Sequence, residues 1–186
     1  MDPITQAFIQ GAAGASGGKT YVEDVFSNWT YRGNNTAKNE PNGIDLEGKG
    51  GFVWIKDCTL ANNHALFDTE RGTTKMLRLG GTSAAQEVVG NPEVFSSFDS
   101  NGFTHGYHGM TGSNGKYASW TWAKEEGFFD VVKWTGDGNS GRQIPHNLGS
   151  VPGFVMTKAL DLSLIHISEP TRPERIGGGG GGGEKK

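Results

Sequence analysis

The 186-residue sequence lacks several features that define functional classes. It has one cysteine, Cys58, so neither an internal disulfide nor a cysteine-rich zinc site is possible. No apolar run approaches the roughly eighteen residues of a membrane-spanning helix. The net charge of −3 provides no basic field for nucleic acid or an anionic membrane. These absences exclude disulfide scaffolds, helical membrane proteins and basic nucleic-acid binders.

Helical periodicity is nearly absent, apart from a short turn around Ser83–Val88. Glycine and asparagine turn signals instead recur about every ten residues and separate short apolar or alternating runs. In one run Trp120 and Trp122 alternate with Ser119 and Thr121, which places both indoles on one face of a strand. The pattern predicts an all-β fold, a β-sandwich or jelly roll. The runs are Val22–Phe26, Gly51–Lys56, Ala65–Phe67, Met76–Leu79, Val94–Phe98, Gly102–Tyr107, Tyr117–Trp122, Phe128–Trp134 and Phe154–Lys158.

The first eighteen residues form a flexible or helical leader in this interpretation. Asp2 and Pro3 favour a helix start, and the Gly/Ala/Ser run from Gly11 to Gly18 ends it. Neither a basic region nor the long apolar core of a signal peptide is present near Met1. We therefore expect a chain without an export signal.

The sequence repeats itself at an offset of 102–104 residues. The first copy runs through Tyr31-Arg-Gly33, Pro41-Asn-Gly-Ile44 and Gly51-Phe-Val-Trp-Ile-Lys56. The second runs through Trp134-Thr-Gly136, Pro145-His-Asn-Leu148 and Gly153-Phe-Val-Met-Thr-Lys158. A repeat this long is not a solenoid period. It predicts a β-sandwich domain at 19–126, followed by a truncated second β module at 127–161.

The last part of the sequence, residues 162–186, has a different character. The string Leu162-Ser-Leu-Ile-His-Ile-Ser-Glu-Pro-Thr-Arg172 resembles the translated read-through of a transposase-based sequencing adapter. Seven glycines, Gly177–Gly183, follow it and resemble an instrumental poly-G read. We therefore interpret 162–186 as a non-native, disordered tail, and seek function in residues 1–161.

One cluster of charges suggests acid–base chemistry. Asp68 and Glu70 would share a face if both lay in a strand. A glycosidase needs two carboxyl groups about 5–10 Å apart. The alternative is a strand end at which the Asp68 carboxylate pairs with Arg71 or caps a turn. We retain Asp68, Glu70 and Arg71 as candidates for facing a ligand.

A second cluster contains two histidines three residues apart, His105 and His108, with Tyr107 between them. A metal site needs a third ligand and an outer shell, and Asp99 and His64 have no predicted place in one. We retain His105, Tyr107 and His108 as candidates for facing a ligand. No phosphate loop or nucleophile elbow is present, so we expect no catalytic residue, metal or cofactor.

The turn at His146 has a counterpart in the first copy, where Asn42 stands in its place. A position inside a repeated turn favours a structural role over a functional one. We therefore predict that Pro145–Gly149 is a tight connection between strands.

Nearly all of residues 19–161 resembles an uncharacterised β-rich domain family common in phages of marine bacteria. Members of that family resemble tail-associated and other virion structural proteins, and the Pro145-His-Asn-Leu-Gly149 module is similar to units of tail fibres. The segments that carry the resemblance are Tyr21–Ser27, Asn42–Leu46, Gly50–Lys56, Leu66–Gly72, Ser97–Phe103, Tyr117–Trp122, Gly127–Val132 and Ile144–Gly153.

The resemblance implies a non-enzymatic virion component, associated with the tail or tail fibre, made in the host cytoplasm. Its β module would serve assembly or adhesion to a host-surface glycan. We expect homo-oligomers and contacts with other virion proteins, without nucleic-acid binding or membrane insertion. Two alternatives stay open: a carbohydrate-active enzyme on a jelly roll using Asp68 and Glu70, and a capsid or neck decoration protein. Fold alone does not choose among them.

Overall fold

A computed structural model describes residues 20–62, 64–79, 87–89, 94–107, 109, 114–158, 160 and 165–168. These residues are almost entirely β, with one short helix, α1 (Leu46–Lys49), and one 3₁₀ turn (Val22–Asp24). The strands are β1 (Phe26–Arg32), β2 (Lys38–Glu40), β3 (Gly51–Asp57), β4 (His64–Asp68), β5 (Lys75–Leu79), β6 (Glu87–Val89), β7 (Phe95–Asp99), β8 (Gly102–His105), β9 (Lys116–Ala123), β10 (Val155–Lys158) and β11 (Ile165–Ser168).

The largest sheet has six antiparallel strands in the order β1-β9-β3-β4-β5-β6. Strand β9 lies between β1 and β3, so Trp122 is in register with both Phe26 and Phe52. Strands β3, β4, β5 and β6 then follow as a meander. The late strand β9 therefore joins β1 to the rest of the sheet.

A three-stranded sheet of order β2-β8-β7 lies against one face of the six-stranded sheet. The apolar core fills the space between the two sheets, which defines a sandwich and confirms the all-β prediction. The buried core residues are Val25, Tyr31, Ile44, Leu46, Val53, Ile55, Ala65, Phe67, Met76, Phe95, Phe103, Tyr117 and Ala123.

The opposite face of the six-stranded sheet, called the outer face here, carries a second apolar cluster. Its buried members are Phe52, Leu66 and Leu77. Phe129 and Leu160 pack against this cluster from the C-terminal part of the chain. The six-stranded sheet therefore has aromatic residues packed on both of its faces.

The residue pattern explains how one strand serves both faces. In β9, Tyr117, Ser119, Thr121 and Ala123 are buried, whereas the alternating residues, Trp120 among them, are only partly buried. Small or hydroxylated side chains at the buried positions allow close approach of the second sheet, and the indoles lie on the outer face. The prediction that Trp120 and Trp122 share a face is confirmed.

Two glycines permit close contacts that a side chain would block. A Cβ atom on Gly51 would lie 2.1 Å from the Trp122 carbonyl oxygen, and one on Gly102 would lie 2.1 Å from the Glu40 carbonyl oxygen. Gly102 also has φ +120°, in the region that favours glycine. These contacts fix β3 against β9, and the β7–β8 turn against β2.

The predicted strand boundaries were wrong at two places. The run Val22–Phe26 begins with the 3₁₀ turn, and β1 extends beyond it to Arg32. The run Phe128–Trp134 contains no strand, because its residues have no pairing partner apart from one isolated bridge at Phe129. Of the helical turn predicted around Ser83–Val88, residues 83–86 lie outside the described residues, and Glu87 begins β6.

Residues 130–154 form turns and irregular segments. Beyond them, β10 pairs with β11 in a separate two-stranded sheet. Strand β11 lies past Leu162, inside the segment predicted to be a disordered artefact, and its pairing gives Ile165–Ser168 a defined backbone. The leader, residues 1–18, lies outside the described residues. Within the described part of the chain, no helix has the length and apolar character needed to cross a bilayer.

Candidate functional site

The predicted pair Asp68 and Arg71 forms a closed, buried ion pair at the end of β4. The Arg71 backbone N–H donates to Asp68 Oδ1 at 2.9 Å, and its side-chain Nε–H donates to Oδ2 at 2.6 Å. The guanidinium also donates to the carbonyl oxygens of Lys75 and Leu66. Both side chains are buried. The ion-pair interpretation is therefore confirmed, and the prediction that Asp68 and Arg71 face a ligand is wrong.

Glu70 does not share a strand face with Asp68, because β4 ends at Asp68 and Glu70 lies in the following turn. Its Oε1 accepts a hydrogen bond of 2.7 Å from Lys124 Nζ. Lys124 Nζ also lies 3.3 Å from Asp130 Oδ1. The hydrogen bond to Glu70 raises the pKa of Lys124, although burial opposes it, and the bond to Asp130 adds to the increase. The same-face geometry that a carboxylate pair requires is absent at Asp68 and Glu70.

His105 lies in the centre of the sandwich and is 0% exposed. Its Nδ1 is 3.0 Å from the carbonyl oxygen of Gly106, and its Nε2 is 3.3 Å from Glu40 Oε1. A carbonyl oxygen only accepts, so Nδ1 carries a proton. The prediction that His105 faces a ligand is wrong, because both ring nitrogens are engaged inside the core.

Glu40 is the acceptor around which this buried polar cluster is arranged, and it is 1% exposed. Trp29 Nε1 donates to Glu40 Oε2 at 3.0 Å, and Lys38 Nζ donates to Oε1 at 3.0 Å. Burial acts to raise the pKa of Glu40, but the hydrogen bonds from His105, Trp29 and Lys38 outweigh it and lower the pKa. Burial, followed by the charge of Glu40, raises the pKa of Tyr31. The cluster joins the two sheets.

The remaining candidates of the histidine cluster are Tyr107 and His108. Tyr107 lies just after β8 and is exposed. His108 lies outside the described residues. Among the side chains that the structure describes, no three His, Cys, Asp or Glu residues are arranged to hold a metal ion. Of the described candidates, Asp68 pairs with Arg71, Glu70 accepts from Lys124, and His105 lies against Glu40 in the core.

The outer face instead brings together a group of residues from β1, β9, β3 and β4. Trp120 is in register with Asn28 on one side and Trp54 on the other. The rings of Trp54 and Trp120 meet edge to face, with centroids 6.0 Å apart. His64 lies next to Trp54, with ring centroids 5.7 Å apart. Both indoles are only partly buried, so they form an aromatic platform with polar neighbours.

Two polar contacts organise one side of this platform. Trp54 Nε1 donates to His64 Nδ1 at 2.8 Å. His64 Nε2 then lies 3.1 Å from Lys56 Nζ. Burial lowers the pKa of His64, and the positive charge of Lys56 lowers it further. The ring is therefore held in its neutral form at neutral pH.

The sequence pattern predicted one indole of this site but not its partners on β3 and β4. The alternation in β9 located Trp120, whereas the run Gly51–Lys56 predicted a strand without singling out Trp54. His64 had no predicted place because its partners lie on β3, and only the β3–β4 register brings them together. The alternation of Trp54 and Lys56 was the available signal.

The fold and the outer-face site define a β-sandwich domain with an aromatic surface. Residues 22–167 match the model of a family described as a domain of unknown function, DUF7483, and the chain belongs to that family. The match extends past Leu162, the predicted start of the artefactual tail. No curated protein and no solved structure gives a significant match.

Proposed function

We propose that this chain is a non-enzymatic phage virion component, associated with the tail or tail fibre, that binds a host-surface glycan through its outer face. The aromatic platform of Trp54 and Trp120 is the observation that carries the proposal. The family match shows an uncharacterised domain family, and the virion role is drawn from the sequence resemblance to marine phage domains.

The chemistry of a sugar fits this platform. A pyranose presents a face of C–H groups, and the negative face of an indole attracts them while covering apolar area. Hydroxyl groups at the ring edge need donors and acceptors, which Asn28 and His64 offer beside the two indoles. Partly exposed tryptophans grouped on one face are unusual on a surface that only contacts water.

The candidate carboxylates do not favour the enzyme alternative. Asp68 accepts from two nitrogens of Arg71, and Glu70 accepts from Lys124. Each carboxylate is therefore paired with a cation within the fold. A double variant, Asp68→Ala with Glu70→Ala, with reduced glycan turnover would revive the enzyme alternative.

A glycan array with a host-cell adsorption assay tests the adhesive part. We expect Trp120→Leu to abolish glycan binding, because leucine keeps apolar volume and removes the indole face. Trp134→Leu is the matched control, since Trp134 is an exposed tryptophan in the segment after β9. Retained binding by the Trp120 variant, with an unchanged melting temperature, would remove the platform as the site.

The virion part is tested separately by locating the protein in purified particles. Gold-labelled antibody at the tail or its fibres is the expected result. Labelling of the capsid or neck would favour the decoration alternative, and absence from particles would overturn the virion proposal.

A further inference from the structure

We infer that the outer-face site takes an acidic saccharide, whose ring packs on Trp54 and Trp120 and whose carboxylate or sulfate oxygen is held between Lys56 and His64. The inference rests on the proposed function and adds the chemical class of the ligand. It depends on the arrangement of hydrogen-bond donors at His64.

The first step is the position of the proton on His64. An indole N–H is only a donor, so the hydrogen bond from Trp54 Nε1 requires a lone pair on His64 Nδ1. The neutral ring then carries its proton on Nε2. Trp54 thus sets the tautomer of His64 from the neighbouring strand.

The second step is the contact between His64 and Lys56. With its proton on Nε2, the ring presents a donor to Lys56 Nζ, itself an ammonium donor, 3.1 Å away. Two donors that face each other at this distance do not satisfy one another. An oxygen atom that accepts from both resolves the conflict, and a negatively charged oxygen does so most strongly.

Three cationic side chains lie at the end of the outer face that carries these donors. On the outer face Lys56 is in register with Ala118, and Lys116 lies two residues away on the same strand face. Arg32 is directly opposite Lys116. Within the described residues none of these three cations forms an ion pair, and the outer-face carboxylate of Asp68 is neutralised by Arg71. This end of the outer face therefore carries uncompensated positive charge beside the aromatic platform.

The combination selects the class of ligand. A free inorganic anion would use the donors but not the two indoles, and a neutral sugar would use the indoles but leave the donors unresolved. A uronic acid or sulfated sugar uses both. One ligand can reach both the indoles and the donors, because the His64 ring contacts Trp54 through one nitrogen and lies beside Lys56 with the other.

Matched ligand pairs test the inference by calorimetry with the full chain. One pair is an oligogalacturonate and its carboxyl-reduced counterpart; the other is a sulfated galactan oligosaccharide and its desulfated counterpart. We expect the acidic member of at least one pair to bind more tightly, and its affinity to fall with added NaCl. The preferred pair distinguishes carboxylate from sulfate.

Single substitutions identify the residue responsible for the preference for an acidic ligand. Lys56→Gln should weaken binding of the acidic member about tenfold, the order expected for losing a charge-assisted hydrogen bond, with little change for the neutral member. Lys133→Gln, an exposed lysine after β9, is the charge-matched control. Equal affinity for both members of each pair would overturn the inference and leave the proposed glycan binding intact. Binding to neither member would overturn both, and equal binding of a short polyglutamate peptide would overturn the saccharide assignment.

Discussion

The two copies of the sequence repeat adopt different structures. In the first copy β1 pairs with β9 at every position from Phe26 to Arg32. The corresponding part of the second copy, around residues 130–136, contains no strand. Among the described residues, no strand pairs with that part of the second copy as β9 pairs with β1. The motif therefore forms a strand only where a distant strand is present to pair with it.

The turn at the centre of the repeat is formed in both copies. Asn42 Oδ1 accepts from the Ile44 backbone N–H at 3.1 Å, and His146 Nδ1 accepts from the Leu148 backbone N–H at 3.2 Å. Different side chains thus make the same bond to the residue two positions on. The local bond agrees with the structural role predicted for His146, but the predicted connection between strands at Pro145–Gly149 is wrong, because residues 130–154 contain no strand. Turns depend on local bonds, whereas strands depend on partners far along the chain.

The exposure of matching apolar side chains also differs between the two copies. Tyr31 is 6% exposed and its counterpart Trp134 is 44% exposed, while Phe52 is 8% exposed and its counterpart Phe154 is 58% exposed. The same apolar positions build a core in one copy and face solvent in the other. Matched substitutions in the two copies therefore measure how much of the stability comes from the pairing with β9.

The largest difference is expected at Tyr31 and Trp134. Tyr31→Ala should lower the free energy of unfolding by about 3–5 kcal/mol, because it removes a buried ring stacked on His105 and Tyr117. Trp134→Ala should change it by less than about 0.5 kcal/mol. Urea unfolding monitored by circular dichroism gives both values. Equal losses would mean that the second copy is as well packed as the first.

A smaller difference is expected at Asn42 and His146. Asn42→Ala should lower the free energy of unfolding by about 1–3 kcal/mol. The substitution removes the turn bond from the Ile44 N–H and also the 2.8 Å hydrogen bond that the Asn42 amide donates to the buried Thr121 hydroxyl. His146→Ala loses only the exposed turn bond and should cost under about 1 kcal/mol. The same unfolding experiment compares them, and a larger cost at His146 would contradict the structural comparison.

The smallest difference concerns pH. Glu40 aligns with Ile144, which does not titrate, so only the first copy carries this carboxylate. Because the folded-state pKa of Glu40 lies below its ordinary value of 4.5, its contribution to stability is present above that pH and is lost as the pH falls through the folded-state value. Glu40→Gln should make unfolding free energy less dependent on pH in that acid range. An unchanged pH dependence would show that Glu40 is not the titrating group.

The sequence predicted the features that depend on neighbouring residues. Alternation located Trp120 and Trp122, and the run Gly51–Lys56 located strand β3. Strand β2 was missed because Lys38-Asn-Glu40 has no apolar residue, and the burial of Glu40 is created by His105, 65 residues away. His105 was misplaced for the same reason. The site at His64 likewise depends on strand register, which pattern alone does not give.

The separation of the two faces of the six-stranded sheet has an evolutionary consequence. Residues of β3 and β9 alternate between the core and the outer face. Neighbouring residues in these strands are therefore selected for different properties, one for packing in the core and the next for what the surface presents. Mutations at Trp54, Lys56 or Trp120 alter the surface without creating cavities between the sheets. Such a lineage can therefore change what its outer face presents within a few substitutions, while Val53, Ile55 and Thr121 stay under selection for folding.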